Sequence, residues 1–167
     1  QKLKRTKIGL VGYSSMSIYP GTFDHVFLRV KIGPEVEHVD SYTLIATSEK
    51  IFEAECHDVI GYLEKTAKIR DDVKLDDLVK VSKLYLALKH LIEEKKLNGI
   101  NVKCQYEFSK EYKMVMCVPL SILAESNVVA SCEGDILNTV SMIILNFISG
   151  QVVTYGDIID NTDKTVK

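Results

Sequence analysis

A short turn carrying two acids, Cys132-Glu133-Gly134-Asp135, separates one apolar run from the next, and a third acid, Glu107, follows Cys104-Gln105-Tyr106. Asp135 opens a helical pattern, so it reads first as an N-cap that accepts an N–H from Leu137 or Asn138. Glu133 is harder to explain as structure, because a second carboxylate in one turn adds repulsion without adding a cap. Gly134 gives the backbone conformations that a bulkier residue resists. If the strands ending before these two acidic stretches are neighbours, Glu107 and Asp135 converge on one crevice. Converging carboxylates make a hard-oxygen site for Mn²⁺ or Mg²⁺, or an acid–base pair.

Other chemistry is less strongly marked. Ser14, Ser15 and Ser17 could cradle a phosphate, as a flavin-binding module would, but Gly9-x-x-Gly12 is not a GxGxxG motif and neither glycine lies in the loop. His25 reads as facing solvent or a helix–sheet seam, His38 as part of an edge strand, and His90 as the middle of a helix. Cys56 and His57 are adjacent in a helical stretch and point apart, which disfavours a nucleophile–base pair. The four cysteines, Cys56, Cys104, Cys117 and Cys132, form no CxxC pair. They read as reduced, buried small hydrophobes with little support for zinc, suiting a reducing compartment.

The elements that must position these residues alternate between strand and helix. Residues 8–12 are a continuous apolar run, as in a strand buried on both faces of a parallel sheet. Thr22 can cap a helix running to about Ile32, with Phe23, Val26, Phe27 and Val30 on one face, stopped by Gly33-Pro34. Residues 35–40 alternate and suit an edge strand. One or two helices follow over 42–46 and 51–68, then a long helix over 75–97 closed by Asn98-Gly99. Residues 100–104 and 128–132 are strands. Residues 113–126 form a helix whose start is uncertain because Pro119 fits an interior badly. Residues 136–148 form an apolar helix, and 152–155 are a candidate fifth strand. This pattern predicts one α/β domain over residues 1–167, a three-layer doubly wound parallel sheet of flavodoxin-like or Rossmann-like type, with strand order 2-1-3-4-5.

Composition narrows the partners. The chain has 167 residues, 46% hydrophobic and 26% charged, with a formal net charge of −2. That near-balance offers nothing to attract nucleic acid or an anionic membrane. No run approaches the ~20 apolar residues of a membrane span, and no signal-peptide pattern is present, so a cytoplasmic setting is expected. The chain begins with Gln1 and ends on a polar run, and both ends read as cuts within something longer.

Residues 101–107 (NVKCQYE), 116–121 (MCVPLS) and 130–135 (ASCEGD) together resemble the central domain of the L-fucose and L-arabinose isomerase superfamily, the L-fucose isomerase-like branch above all. Residues 7–13 (KIGLVGY), Thr22-Phe23-Asp24 and the stretch down to Asp40 agree with it. The resemblance implies the second domain of an aldose–ketose isomerase. Such an enzyme holds a divalent metal, usually Mn²⁺, through one Glu, one Asp and one His, and moves a proton between C1 and C2 of a monosaccharide. On this resemblance Glu107 is the glutamate ligand and base, Asp135 the aspartate ligand, and Glu133 a support for the ligands. The family often has Trp-Pro where Gln105-Tyr106 stand here. Its His ligand comes from a C-terminal domain, and none of His25, His38, His57 or His90 matches it. The N-terminal and C-terminal domains are therefore expected to be missing, the full-length protein to be a homo-oligomer, and the isolated piece to be inactive and to bind no metal. A non-catalytic sugar-binding or flavin-binding module of the same fold is the alternative. A signalling receiver domain would need an acid pair after the first strand, where Gly12-Tyr13-Ser14-Ser15 stand.

Overall fold

The computed structural model describes residues 1–13 and 21–156. Four parallel strands, β1 (Lys7–Val11), β2 (Glu35–Val39), β3 (Gly99–Val102) and β4 (Val129–Cys132), form a sheet of order β2-β1-β3-β4. Their apolar sequences suit this placement, because the central strands are covered on both faces. Among the described residues six α-helices accompany them: α1 (His25–Phe27), α2 (Ser41–Glu49), α3 (His57–Thr66), α4 (Leu75–Lys95), α5 (Cys117–Glu125) and α6 (Ile136–Ser149).

Side-chain alternation along the strands divides the core in two. Val11, Ile100, Val102 and Ala130 pack with Leu44 of α2, Leu84, Leu88 and Leu91 of α4, and Leu120 and Leu123 of α5. Ile8, Leu10 and Val129 face the other way, onto Leu28 and onto Ile136, Val140 and Ile143 of α6. The result is the three-layer α/β domain that the alternating pattern predicts. The order of the first four strands also agrees.

Several local expectations need correction. The fifth strand does not form: residues 152–155 join no ladder, and the Tyr155 hydroxyl instead donates to the Cys132 carbonyl at 2.8 Å. The first helix is capped by Asp24, whose carboxylate accepts the Phe27 N–H at 2.7 Å, rather than by Thr22. It winds on as a π-helical turn over Leu28–Ile32, and Leu28 is the residue it buries. Val26, Phe27 and Val30 are exposed, at 73%, 60% and 69%, so the expected buried face is the outer one. Apolar residues surround most of that helix, so spacing alone did not select a face. Helix α5 begins at Cys117, which puts Pro119 in the first turn, where a missing N–H costs no helical bond. Helix α4 ends at Lys95 and is capped by Lys96, in the left-handed region at φ 55°, before Asn98-Gly99.

Candidate functional site

Strands β3 and β4 are neighbours, paired in register from Gly99↔Val129 to Val102↔Cys132. The segments leaving their carboxyl ends therefore start side by side, where open α/β sheets gather ligands. Glu107 follows β3 and opens a single π-helical turn, Glu107–Glu111. Asp135 follows β4 and caps α6. Its carboxylate Oδ1 accepts the Asn138 N–H at 2.9 Å, one of the two donors foreseen from sequence. Oδ2 has no hydrogen-bond donor among the described residues.

The acidic turn is fastened from below by Asn101 of β3, which is fully buried. Its amide oxygen accepts the Gly134 N–H at 2.8 Å. Its amide nitrogen donates to the Cys132 and Asp135 carbonyls at 3.0 and 3.1 Å and to the Ser131 and Thr139 hydroxyls at 3.0 Å. Glu133 and Gly134 both take positive φ, 70° and 74°, so the chain reverses through two left-handed residues. Glycine does this freely, whereas the glutamate does so at a cost of order 1–3 kcal/mol. Tyr106, directly before Glu107, is also at positive φ (62°). Strained non-glycine residues thus stand beside both acidic positions.

Lys103 is the other residue that sequence reasoning left without a role. It is fully buried and ion-paired with Glu107 four residues on. Its ammonium lies 3.6 Å from the centroid of the Tyr13 ring and 5.5 Å from that of Tyr106. A cation seated on aromatic faces and paired with one carboxylate offsets the cost of burial. Gly12 makes room for it: at φ 91°, an added Cβ there would come within 3.0 Å of Lys103 Cβ and 3.1 Å of Ser41 Oγ. Burial pushes the Glu107 carboxyl up, but Lys103 and the residue's own backbone amide outweigh it and hold the group below the usual range. Glu107 is therefore ionised at neutral pH. The signal for both missed residues was present: Asn101 and Lys103 alternate within an otherwise apolar strand.

The cysteines also depart from expectation. All four are free, as predicted, but only Cys56 is buried, and Cys117 is exposed. Cys104 follows β3 and Cys132 ends β4, and their thiols act on each other. The Cys132 thiol pulls Cys104 down to about 7 against the effect of burial, helped by the Glu133 backbone. Cys132 moves upward in turn, through Cys104 and through burial. The Tyr155 hydroxyl lies 3.4 Å from Cys132 Sγ.

These donors can be tested against a divalent metal. Glu107 and Asp135 offer hard carboxylate oxygens of the kind that Mn²⁺ or Mg²⁺ takes, and Glu107 is held ionised. Among the described residues no group of three or more His, Cys, Asp or Glu is gathered to hold an ion. By donor chemistry the two carboxylates suit part of a coordination shell. Ser14, Ser15 and Ser17, with the phosphate-cradle reading they carry, lie outside the described residues. Among those residues no helix is long and apolar enough to cross a membrane.

The architecture is that of a parallel α/β domain with acids at the carboxyl ends of adjacent strands. No protein-family model matches the chain. It is 28% identical over 162 residues, 95% of its length, to a sulfoquinovose isomerase of Alkalicoccus urumqiensis. It is 26% identical over 160 residues to sulfoquinovose isomerases of Priestia aryabhattai and Priestia megaterium, covering 94% of this chain. The matches take in 36%, 35% and 35% of those proteins, so the chain spans about a third of the length of the curated relatives. The similarity supports a relationship to sugar isomerases.

Proposed function

We propose that this chain is the central sheet domain of a metal-dependent aldose–ketose isomerase, L-fucose isomerase-like in its acidic turn, to which it contributes Glu107 and Asp135 as ligands of Mn²⁺ or a similar ion. The observation that carries the reading is the placement of both carboxylates after the carboxyl ends of adjacent parallel strands. The similarity to sugar isomerases along nearly the whole chain supports the reaction class. Sulfoquinovose, the sugar in the relatives' name, is the first substrate to test, with L-fucose beside it.

When bound, the metal would polarise sugar oxygens and make a carbon-bound proton easier to remove. The ionised Glu107 accepts that proton and returns it to the neighbouring carbon, held in place by Lys103. Asp135 is fixed by its bond to the Asn138 N–H, and Glu133 supports both ligands from the same turn. The remaining ligand, the rest of the sugar pocket and a homo-oligomeric assembly belong to a longer cytoplasmic protein.

In that full-length protein, Glu107→Gln and Asp135→Asn should each weaken Mn²⁺ binding at least about tenfold. Each should also lower ketose formation by about 10²-fold or more. Calorimetry and a coupled ketose assay read the two effects separately. Unchanged Mn²⁺ affinity in both variants would overturn the ligand assignment. The 167-residue chain alone should form no ketose with Mn²⁺ added. Turnover by it would mean that it holds a complete site.

A further inference from the structure

His25 opens α1 and His38 lies in the edge strand β2, with both side chains exposed. Their Nε2 atoms are 3.0 Å apart, and the ring centroids are separated by 4.8 Å with the planes at 39°. The Phe23 ring packs against His25 at 4.3 Å between centroids. A straight N–H···N hydrogen bond between two imidazoles at this N···N distance would set the centroids about 5.3 Å apart, with each nitrogen about 1.15 Å from its ring centre. The shorter observed separation rules out a straight head-on pair, so the rings are bent about the N···N line. An ion about 2.05 Å from each nitrogen would subtend an angle of about 94° there and put the centroids about 4.7 Å apart.

From the 3.0 Å separation of the two Nε2 atoms and the matching ring spacing we infer that His25 and His38 form a chelating site for a borderline divalent transition ion of the Zn²⁺, Ni²⁺ or Cu²⁺ class. Imidazole nitrogen favours these ions over Mn²⁺ and Mg²⁺, which prefer oxygen. The site is therefore chemically distinct from the carboxylates at β3 and β4, and it does not depend on the isomerase reading. An angle near 94° lies between the right angle of tetragonal Cu²⁺ or Ni²⁺ and the wider one of tetrahedral Zn²⁺. On binding, the donor ring passes its Nε2 proton to its own Nδ1 through water, so that both neutral rings present Nε2 to the ion. Water fills the other positions, since among the described residues no third His, Cys, Asp or Glu completes a group with the pair. The bound ion ties the start of α1 to the outermost strand of the sheet.

The chain contains four histidines, so His57 and His90 serve as internal controls. Zn²⁺ is titrated into the tag-free protein while the ring nitrogen resonances of all four are followed by NMR. The His25 and His38 signals should move together at substoichiometric Zn²⁺, with those of His57 and His90 unmoved. In His38→Ala the His25 response should disappear, and Zn²⁺ should bind at that ring at least about tenfold more weakly. Both residues are exposed, so folding is not at risk. No shift at His25 and His38, equal shifts at all four rings, or an unaltered His25 response in His38→Ala would each overturn the site.

Discussion

Replacing Asn101 with leucine removes the one side chain that reaches the Gly134 N–H, the carbonyls of Cys132 and Asp135 and the hydroxyls of Ser131 and Thr139. The Cys132 carbonyl keeps the Tyr155 hydroxyl, the Asp135 carbonyl keeps the Thr139 hydroxyl, and the Ser131 and Thr139 hydroxyls keep each other. The loss therefore centres on the buried Gly134 N–H and should cost about 1–3 kcal/mol, measured by urea unfolding. Cys104 offers a second measurement at this scale. Its thiolate forms as pH rises through about 7, so alkylation by iodoacetamide should climb through that range, with Cys56 slow throughout because burial pushes its thiol up. Cys132→Ala removes the thiol that lowers Cys104, and the Cys104 midpoint should then move to higher pH. Peptide mass spectrometry reads both sites. Residue types made Asp135 legible as a cap and drew attention to Glu107. Lys103 stood out in the sequence only as a polar residue alternating in an apolar strand, because whether such a lysine is buried depends on Tyr13, Gly12 and Glu107 meeting around it in three dimensions.

At the level of elements, Glu37 of β2 pairs with Lys7 of β1 and Lys95 of α4, joining three pieces of the fold. Hydrogen bonds from Lys7 and then Lys95 hold its carboxyl below the usual range. The unfolded group titrates near about 4.3, so the stabilisation is complete above that pH and is lost as pH falls through the lower folded value. Glu37→Gln should therefore flatten the fall in melting temperature below about pH 5 while changing little of the slope at neutral pH. Strands were the most legible elements, because a buried parallel strand is a mainly apolar run: β1 is one after Lys7, and β3 and β4 depart from it only at Asn101 and Ser131. Helix α1 was read with the wrong face inward. Its short α-helical start and π-helical continuation shift the buried position to Leu28, and no 3.6-residue period could show that. The supposed fifth strand failed because Tyr155 hydrogen-bonds to Cys132 and residues 152–155 lie along no strand edge.

The whole molecule depends on two apolar clusters on opposite faces of one sheet. Leu88 of α4 is fully buried in the larger cluster, so Leu88→Ala should cost about 2–5 kcal/mol in urea unfolding. Far-ultraviolet circular dichroism and tyrosine fluorescence should report one coincident transition, because the strands are shared by both clusters. The chain has no tryptophan, so its eight tyrosines supply the fluorescence. The division into three layers followed from the strand–helix alternation, whereas the strained backbone at Tyr106 and Glu133 had no counterpart in residue type. The Asn101 contacts also bear on engineering. The acidic turn is not a portable loop, since its shape is written partly into the strand beside it and the helix after it. Grafting residues 132–135 onto another parallel sheet would transplant the letters without the fold of the turn. The smallest unit that can be moved intact carries Asn101, Ser131 and Thr139 along with it.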